Sequence, residues 1–335
     1  MSKTVLNIND LYVSFDTYAG EVQAVRGVTC HVNEGEVLAI VGESGSGKSV
    51  TAQTIMKLNP MPPARIKSGE ITLDDIDIIN TSEKGMQKIR GSLVSMIFQD
   101  PMTSLNPTMP VGKQIVEAIK HHQKLDKAEA NKRAVEILKQ VQIPNAQERA
   151  KQYPHQFSGG MRQRAMIAMA LSCNPKLLIA DEPTTALDVT IQAQILELLG
   201  EIRKDMSTAI ILITHDLGVV ANLADRVAVM YAGKIVETGT AKEIFDKPTH
   251  PYTIALLNSL PKHDTTKDQG LVSIQGTPPD LIAPPQGCGF ASRCEQCMKI
   301  CKSHQPPVFK EKEGHDVSCW LLHKDAPTKV QKEEN

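Results

Sequence analysis

The sequence lacks any apolar run long enough to cross a membrane. A membrane-spanning helix needs about 18 or more consecutive apolar residues, and polar residues interrupt every apolar stretch of this chain before that length. Residues 1–15 also lack the continuous apolar core of a secretory signal. We therefore expect a cytosolic chain without a membrane span.

The chain also lacks an excess of charge of either sign. Its 37 basic and 38 acidic residues give a formal net charge of −1 at pH 7. Proteins that bind nucleic acid by neutralising phosphates carry a basic excess or a basic patch. The composition therefore argues against a nucleic-acid partner.

Cysteine is scarce except in one segment. Cys30 and Cys173 stand alone, whereas five of the seven cysteines lie between residues 288 and 319. In a cytosolic chain such clustering favours a metal site over disulfide bonds.

The length of 335 residues favours two domains. Prolines become frequent beyond about residue 246 and break the earlier pattern. We predict one domain over residues 1–250 and a small C-terminal appendix over residues 251–335, ending in a tail of about a dozen residues.

The most informative stretch begins with the apolar run Val37–Val41, which predicts a buried strand. GESGSGKS (42–49) follows it with the spacing G-x-x-x-x-G-K-S, ahead of a helix predicted from Lys48 to Leu58. Backbone N–H groups of such a loop can point at phosphates, while Lys48 would bridge the β- and γ-phosphates and Ser49 would ligate Mg²⁺. A chance glycine-rich turn is the alternative. The residues predicted to contact the nucleotide here are Gly42, Ser44, Gly45, Ser46, Gly47, Lys48, Ser49 and Val50.

Two carboxylates follow a second apolar run. Residues 177–180 predict a buried strand, and Asp181 and Glu182 stand at its end. Downstream of a phosphate loop, Asp181 is suited to the Mg²⁺ shell, and Glu182 is the candidate to orient or deprotonate the attacking water.

Gln99 and His215 also stand at the ends of predicted strands. Gln99 is a candidate ligand of Mg²⁺ and water, and His215 a candidate donor to the γ-phosphate. If Gln99 or His215 stood alone, the explanation that it is an ordinary polar residue at a strand end would be at least as good.

A second helix start, Ser158-Gly159-Gly160, has exposed amides and a favourable dipole for binding phosphate. One explanation is that it serves a nucleotide on a partner chain. A plain N-cap followed by flexible glycines is the alternative.

The remaining pattern alternates between strands and helices. Short alternating runs over residues 4–39 indicate a β-rich opening, and apolar residues at helical spacing over residues 108–150 indicate a helical insert. The βαβ alternation that follows, up to a hairpin at 227–237, predicts an α/β fold.

Six motifs in this order resemble the nucleotide-binding domain of an ABC transporter, over residues 4 to about 250. They are GESGSGKS (42–49), Gln99, FSGGMRQR (157–164), LLIADEP (177–183), TALD (185–188) and THD (214–216). The resemblance implies a P-loop NTPase of the ABC type that hydrolyses ATP with Mg²⁺. Its RecA-like core would carry an N-terminal antiparallel β part and a helical subdomain at about residues 100–170.

By that resemblance, two such domains enclose two ATP molecules head to tail. Ser158, Gly159 and Gly160 would contact the partner's nucleotide, and Asp188 would link the two sites. Tyr18 would stack on adenine, with Phe15 as the substitute. The residues facing the chain's own nucleotide would be Lys48, Ser49, Gln99, Asp181, Glu182 and His215, with Lys48, Glu182 and His215 in catalytic roles.

The chain departs from the family signature LSGGQ, which reads FSGGM here. Met161 replaces the polar glutamine, but Ser158 and both glycines remain, so the contact with phosphate should persist. Every other catalytic position is present, which favours an active ATPase.

Further features resemble the ATP-binding subunits of dipeptide and oligopeptide importers, whose close relatives also carry nickel complexes. These features are FQDPMTSLNP (98–107), HPYT (250–253), Leu256, Leu257, SLP (259–261) and the cysteine-bearing tail. The resemblance implies a peripheral subunit at the cytoplasmic face of the cell membrane. It would pair with a second ATPase subunit, as a heterodimer or a homodimer, beneath two permeases fed by an extracytoplasmic peptide-binding protein.

Four cysteines, Cys288, Cys294, Cys301 and Cys319, are separated by 5, 6 and 17 residues. Four thiolates satisfy either zinc or an iron–sulfur cluster, and spacing alone slightly favours zinc. The tail GCGFASRC resembles that of peptide-importer ATPases, some of which hold a 4Fe-4S cluster. That resemblance implies a 4Fe-4S cluster with these four cysteines as ligands and Cys297 as a bystander, and this is our prediction. Free buried thiols are the remaining alternative.

Two functions of other classes compete with a transport ATPase. A soluble ABC-type ATPase acting on DNA or ribosomes would predict a basic stripe, a long coiled-coil insert or tandem cassettes, and the sequence has none of these. The second competing function is a binding module that does not hydrolyse ATP. The effect of Glu182→Gln on ATP hydrolysis would distinguish it from an ATPase.

Overall fold

The computed structural model describes residues 3–185, 187–259, 274–312 and 314–327. Ala186 of the TALD motif, Leu260 and Pro261 of the SLP motif, and residues 328–335 of the predicted tail lie outside the described residues. Within the described part, no helix is long and apolar enough to span a bilayer.

The secondary structure follows the predicted alternation closely. In chain order the strands are β1 (Thr4–Thr17), β2 (Gly20–Asn33), β3 (Val37–Val41), β4 (Ala64–Leu73), β5 (Ile76–Asp77), β6 (Val94–Ile97), β7 (Leu177–Asp181), β8 (Ala209–Ile213), β9 (Arg226–Tyr231), β10 (Lys234–Thr240), β11 (Phe309–Lys312) and β12 (His315–Val317). The α-helices are α1 (Lys48–Ile55), α2 (Glu83–Ile89), α3 (Pro101–Ser104), α4 (Val111–His122), α5 (Lys127–Gln140), α6 (Ala146–Arg149), α7 (Gly159–Leu171), α8 (Val189–Met206), α9 (Leu217–Leu223), α10 (Ala241–Asp246), α11 (Pro251–Asn258) and α12 (Lys299–Ser303).

Helix α1 is shorter than predicted. Lys57, just beyond it, adopts a left-handed backbone with a φ of 48°, and its ammonium group donates to the carbonyl oxygens of Ile79 and Thr81. The chain therefore leaves the helix before Leu58, the predicted end.

The antiparallel opening is a four-stranded sheet in the order β2-β1-β4-β5. Strands β1 and β2 form a long hairpin, and β4 pairs with β1 as far as Ala64 opposite Phe15. Strand β4 therefore begins at Ala64. The apolar side chains of β1 at Leu6, Ile8 and Leu11 are fully buried.

The main sheet has the strand order β11-β12-β10-β9-β3-β8-β7-β6. Its strands from β9 to β6 run parallel, and every residue of β3, β7 and β8 is buried. Since the carboxyl ends of parallel strands meet at one edge of a sheet, the loops after β3, β8, β7 and β6 are neighbours. All the predicted catalytic groups follow these four strands.

The predicted helical insert contains α4, α5 and α6. Helix α5 begins at a capping box in which Asp126 accepts from the Glu129 N–H and Glu129 accepts from the Asp126 N–H. The buried faces of α4 and α5, with Ile115, Ile119 and Ile137 among them, share a hydrophobic cluster with α7. The expectation of a helical subdomain on an α/β core is thus confirmed.

The C-terminal appendix packs on the core. Strand β12 pairs antiparallel with β10 and β11, so the appendix extends the main sheet. Phe290 packs against Tyr231 and Tyr252 with ring centroids 5.3 and 5.4 Å apart. The division at residue 250 stays a prediction.

Candidate nucleotide site and cysteine cavity

The P-loop between β3 and α1 requires glycine at two positions. Gly42 has a φ of 149°, and a Cβ there would lie 2.1 Å from the carbonyl oxygen of Met230. Gly47 has a φ of 100°, and its Cβ would lie 2.4 Å from the carbonyl oxygen of Ala24. Neither position tolerates a larger residue without a shift of backbone. The other predicted residues of the loop and the first turn of α1 are Ser44, Gly45, Ser46, Lys48, Ser49 and Val50.

Lys48 folds over its own loop. Its Nζ donates to the carbonyl oxygens of Gly42 at 2.8 Å and Glu43 at 2.9 Å. Burial lowers the pKa of Lys48, although Glu182 and Asp181 act in the opposite direction. The ammonium group is therefore held at the mouth of the loop, where the oxygens of a phosphate can compete for it.

The two predicted Mg²⁺ ligands on the P-loop helix and strand β7 touch. Ser49 Oγ donates to Asp181 Oδ1 at 3.0 Å, and Asp181 is only 7% exposed. Burial raises the pKa of Asp181, while the Ser49 hydrogen bond opposes the rise. A hydroxyl and a carboxylate side by side are oxygen ligands of the kind that Mg²⁺ prefers, so these residues fit the ion.

The Glu182 carboxylate contacts side chains from three loops, those after β6, β7 and β8. Gln99 Nε2 donates to Glu182 Oε2 at 3.0 Å, and Thr185 Oγ1 donates to the same oxygen at 2.9 Å. His215 Nδ1 lies 3.4 Å from Glu182 Oε1. Glu182 has a φ of 47°, a left-handed conformation that costs a residue with a Cβ about 1–3 kcal/mol and is frequent at active sites.

The structure thus brings Gln99, Asp181, Glu182 and His215 to the edge that carries the P-loop. Sequence reasoning did not single out Thr185, although it stands in the TALD motif three residues after Glu182. It also missed Gln163, whose buried Nε2 donates to the carbonyl oxygen of Pro183 at 2.6 Å. No pattern in a single sequence indicates that contact.

The residues predicted to serve a partner chain have local contacts. Ser158 caps α7 by accepting from the Met161 N–H at 3.4 Å, and Asp188 caps α8 by accepting from the Ile191 N–H at 2.9 Å. A Cβ added at Gly159 would meet no atom within 4 Å, whereas one at Gly160 would lie 2.8 Å from Ile191 Cγ2. Gly159 is therefore a glycine that its own chain does not require.

The two predicted adenine-stacking aromatics differ in exposure. Tyr18 lies at the turn between β1 and β2 and is fully exposed. Phe15 is half-buried and packs against the core shared by both sheets.

The four predicted metal ligands border one cavity. Cys288, Cys294, Cys301 and Cys319 all line it, and Cys297 does not. Burial raises the pKa of the Cys288, Cys294 and Cys319 thiols to about 11. Yet in the described ranges no group of three or more His, Cys, Asp or Glu side chains is arranged to hold a metal ion. The expected metal centre is therefore not preformed, and these thiols would have to approach one another to ligate a metal.

One orphaned polar atom bears on what the cavity holds. His250 also lines it, and His250 Nε2 is buried without a hydrogen-bond partner. Four thiols and an unpaired polar atom around one space fit a sulfur-ligated group better than an apolar ligand. The residue types therefore suit a sulfur-ligated metal centre, although in the described ranges the thiols are not arranged around one.

The fold and site define a P-loop ATPase. Comparison with known families agrees: the ABC transporter family matches residues 25–185, and the family described as the oligopeptide/dipeptide transporter C-terminal region matches residues 236–301.

Curated relatives match along nearly the whole chain. The oligopeptide transport ATP-binding protein OppD of Bacillus subtilis is 62% identical over 323 residues, covering 96% of this chain and 90% of the relative. The dipeptide transport ATP-binding protein DppD of the same organism is 57% identical over 317 residues, covering 95% and 94%. The chain belongs to this family of peptide ABC transporter ATP-binding subunits.

Two solved structures share the fold of the cassette. The ATP-binding cassette MJ0796, solved as a dimer in a post-hydrolysis state with ADP and Pi, has a TM-score of 0.63 at 27% identity and covers 70% of this chain and 98% of its own. Clostridium perfringens cbiO1, part of a cbiONQ transporter complex, has a TM-score of 0.63 at 32% identity, with coverages of 73% and 92%.

Proposed function

We propose that this chain is the ATP-hydrolysing subunit that powers import of dipeptides or oligopeptides through an ABC transporter. The observation that carries the catalytic part is the convergence on Glu182 of Gln99, Thr185 and His215 beside the Ser49–Asp181 pair. The peptide cargo is inferred from the names of the relatives and from the C-terminal family match.

The proposed chemistry assigns one role to each group. Lys48 leaves the loop carbonyls to bind the β- and γ-phosphates, and Ser49 and Asp181 hold Mg²⁺. Glu182 accepts a proton from, or orients, the attacking water, because its carboxylate is fixed by donors on one oxygen and faces His215 with the other. Gln99 joins this group from the loop after β6, so it can report the γ-phosphate to the helical subdomain.

A second copy of the ATPase is part of this proposal. Ser158, Gly159 and Gly160 would contact the partner's nucleotide, for which the open space at Gly159 leaves room. Asp188 is exposed at the start of α8, which it caps, and would link the two sites. Tyr18, free of contacts that bury it, would stack on adenine, with Phe15 as the substitute.

The proposed assembly places the chain at the cytoplasmic face of the membrane. Its partners would be a second ATPase subunit, in a heterodimer or homodimer, two permeases and, indirectly, an extracytoplasmic peptide-binding protein. Support comes from the relatives and from a structural neighbour solved as a dimer.

The cofactor of the C-terminal appendix is proposed to be a 4Fe-4S cluster on Cys288, Cys294, Cys301 and Cys319, with zinc as the alternative. The shared cavity of these four residues and the orphaned His250 Nε2 support a sulfur-ligated group there. A metal group bound by all four cysteines would cross-link the segments of the appendix that carry them.

A gene deletion with complementation tests the transport function. Loss of the gene should abolish uptake of labelled dipeptides or oligopeptides, and the wild-type gene should restore uptake while Glu182→Gln should not. Glu148→Gln, an exposed carboxylate on α6, serves as the matched control and should restore uptake. Intact peptide uptake with loss of nickel uptake would instead support the nickel-complex alternative, and no effect on either would contradict the proposal.

A further inference from the structure

His250 is held so that one ring nitrogen faces its own helix. His250 is the N-cap residue that precedes α11, and it is 1% exposed. Its Nδ1 accepts from the Tyr252 N–H at 3.0 Å. Because Nδ1 is an acceptor, the proton of the neutral ring sits on Nε2. Burial lowers the pKa of His250 to about 4, so the ring is neutral near pH 7.

The Nε2–H on the far edge of the ring has no partner although it is buried. Buried donors are almost always paired, because leaving one unpaired is costly. The ring lines the cavity that the four cysteines border, so the missing acceptor belongs to whatever that cavity holds.

We propose that His250 Nε2–H donates a hydrogen bond to a sulfur atom, a sulfide or a cysteine thiolate, of the cluster in that cavity. This inference rests on the proposed 4Fe-4S cluster. Hydrogen bonds to cluster sulfur stabilise the more negative, reduced form and raise the reduction potential. His250 is thus a positioning residue of the cluster, and a residue that sets its potential.

Two substitutions separate this donor from the helix cap. In His250→Asn the amide oxygen can replace Nδ1 as the cap acceptor, but no donor reaches the cavity. In His250→Gln the longer side chain carries an N–H donor towards the position of Nε2. The full-length protein is purified without oxygen, its iron and sulfide are measured, and its reduction potential is titrated with dithionite by visible and EPR spectroscopy.

The expected result is a more negative potential for His250→Asn and a smaller shift for His250→Gln, with iron retained in both. A wild-type protein without iron and sulfide would overturn the cluster and the hydrogen bond together. A loaded wild type whose potential equals that of the Asn variant would overturn the hydrogen bond alone. If the Asn variant loses iron, retention of a wild-type potential by the Gln variant supports the donor, and loss of iron by both counts against it.

A second, independent observation joins the appendix to the P-loop. Arg293 Nη1 and Nη2 donate to the two carboxylate oxygens of Glu43 at 2.6 and 3.0 Å. The other N–H groups of Arg293 donate to Tyr231 Oη, the Ile274 carbonyl and the Gln275 carbonyl, at 3.1, 3.2 and 2.9 Å. All five donors of the guanidinium group are therefore satisfied, and its side chain is only 4% exposed.

Glu43 is a P-loop residue that is held at three points. Besides its carboxylate, its N–H donates to Tyr252 Oη at 2.9 Å, and its carbonyl oxygen accepts from Lys48 Nζ at 2.9 Å. Arg293 and Tyr252 both belong to the C-terminal appendix. We infer that Arg293 positions the P-loop through Glu43, so the appendix sets the affinity of the loop for nucleotide.

Double-mutant analysis of ATP binding tests this role. Arg293→Lys keeps the charge but cannot make the bidentate contact, and Glu43→Gln removes the carboxylate. Each should weaken binding of Mg-ATP to the full-length chain by about tenfold, as expected for loss of a partly buried charge pair. The double variant should be no weaker than the worse single variant, and kcat at saturating ATP should stay within about twofold of wild type.

Lys312→Met provides the control. Lys312 of the appendix forms an ion pair at 2.8 Å with Glu243 of α10. This contact does not involve the P-loop, so its loss should leave ATP affinity unchanged. Wild-type affinity in both single variants, or losses that add in the double variant, would overturn the inference. Thermal unfolding of each variant ensures that affinity is compared between folded proteins.

Discussion

Ser49 Oγ donates a hydrogen bond to Asp181 Oδ1 at 3.0 Å. The contact joins the first turn of the P-loop helix to the end of a buried strand 132 residues away. It places the two proposed Mg²⁺ ligands together before any ion is bound. Pre-arrangement of this kind reduces the reorganisation that ion binding requires.

Asp181→Asn should raise the thermal stability of the nucleotide-free protein at pH 7 while abolishing Mg²⁺-dependent turnover. Burial raises the pKa of Asp181, so the ionised form costs stability above that pKa. Asparagine retains an oxygen that can accept from Ser49 without the buried charge.

The pH dependence provides the check on this prediction. The stability that a carboxyl with a raised pKa contributes is fully present below its unfolded-state pKa and is lost as the pH rises through the folded one. The advantage of Asp181→Asn should therefore shrink as the pH falls through the folded pKa, which lies above the usual aspartate range. An unfolding temperature below wild type at pH 7 would contradict the account.

Gly42→Ala should destabilise the protein and remove ATP binding. A Cβ there would lie 2.1 Å from the Met230 carbonyl, at a φ of 149°, so the backbone of the loop must move. Gly200→Ala is the matched control, because Gly200 lies within α8 and its Cβ would meet Leu223 at 3.5 Å, an ordinary contact. We expect that control to stabilise the protein by about 0.5–1 kcal/mol. Denaturant unfolding and ATP titration measure both effects, and normal ATP binding by Gly42→Ala would count against the loop geometry.

Gly159→Ala should separate folding from assembly. Its Cβ would meet nothing within 4 Å in its own chain, so stability and ATP binding by the single subunit should be unchanged. ATP-dependent dimerisation should be lost, because the methyl group would occupy space proposed for the partner's phosphate. Size-exclusion chromatography with ATP compares proteins with Gly159 and with Gly159→Ala, both carrying Glu182→Gln. Undiminished dimerisation of the Gly159→Ala protein would refute the proposed contact of Gly159 with the partner's nucleotide.

Cys301→Ser should remove the cofactor proposed for the appendix, and Cys297→Ser should not. Cys301 lines the common cavity and Cys297 lies outside it, although only three residues separate them in sequence. Iron, sulfide and zinc are measured on protein purified without oxygen, where about four iron and four sulfide per chain are expected. One zinc without sulfide would contradict the cluster, and equal losses in both variants would contradict the assignment of ligands.

The sequence predicted those parts of the fold and site that local pattern determines. The apolar run at 37–41 is a strand with those bounds, because fully buried parallel strands are apolar throughout. The motif spacing also located Gln99, Asp181 and Glu182 at strand ends.

The sequence did not predict contacts between side chains that are far apart along the chain. Nothing in the sequence indicates that Arg293 holds Glu43, 250 residues away, or that Gln163 reaches the Pro183 carbonyl. The attachment of the appendix to the main sheet through β12 was likewise missed, because a strand of three residues carries too little periodicity to be recognised.

The most direct test of the account is ATP turnover by the reconstituted transporter carrying Glu182→Gln. A general base contributes about 10²–10⁴-fold to rate, and Glu182 is held by Gln99 and Thr185 for that role. We predict a loss of turnover of at least about 100-fold, with ATP affinity unchanged and peptide transport abolished. Equal ATP hydrolysis by wild type and Glu182→Gln would contradict it.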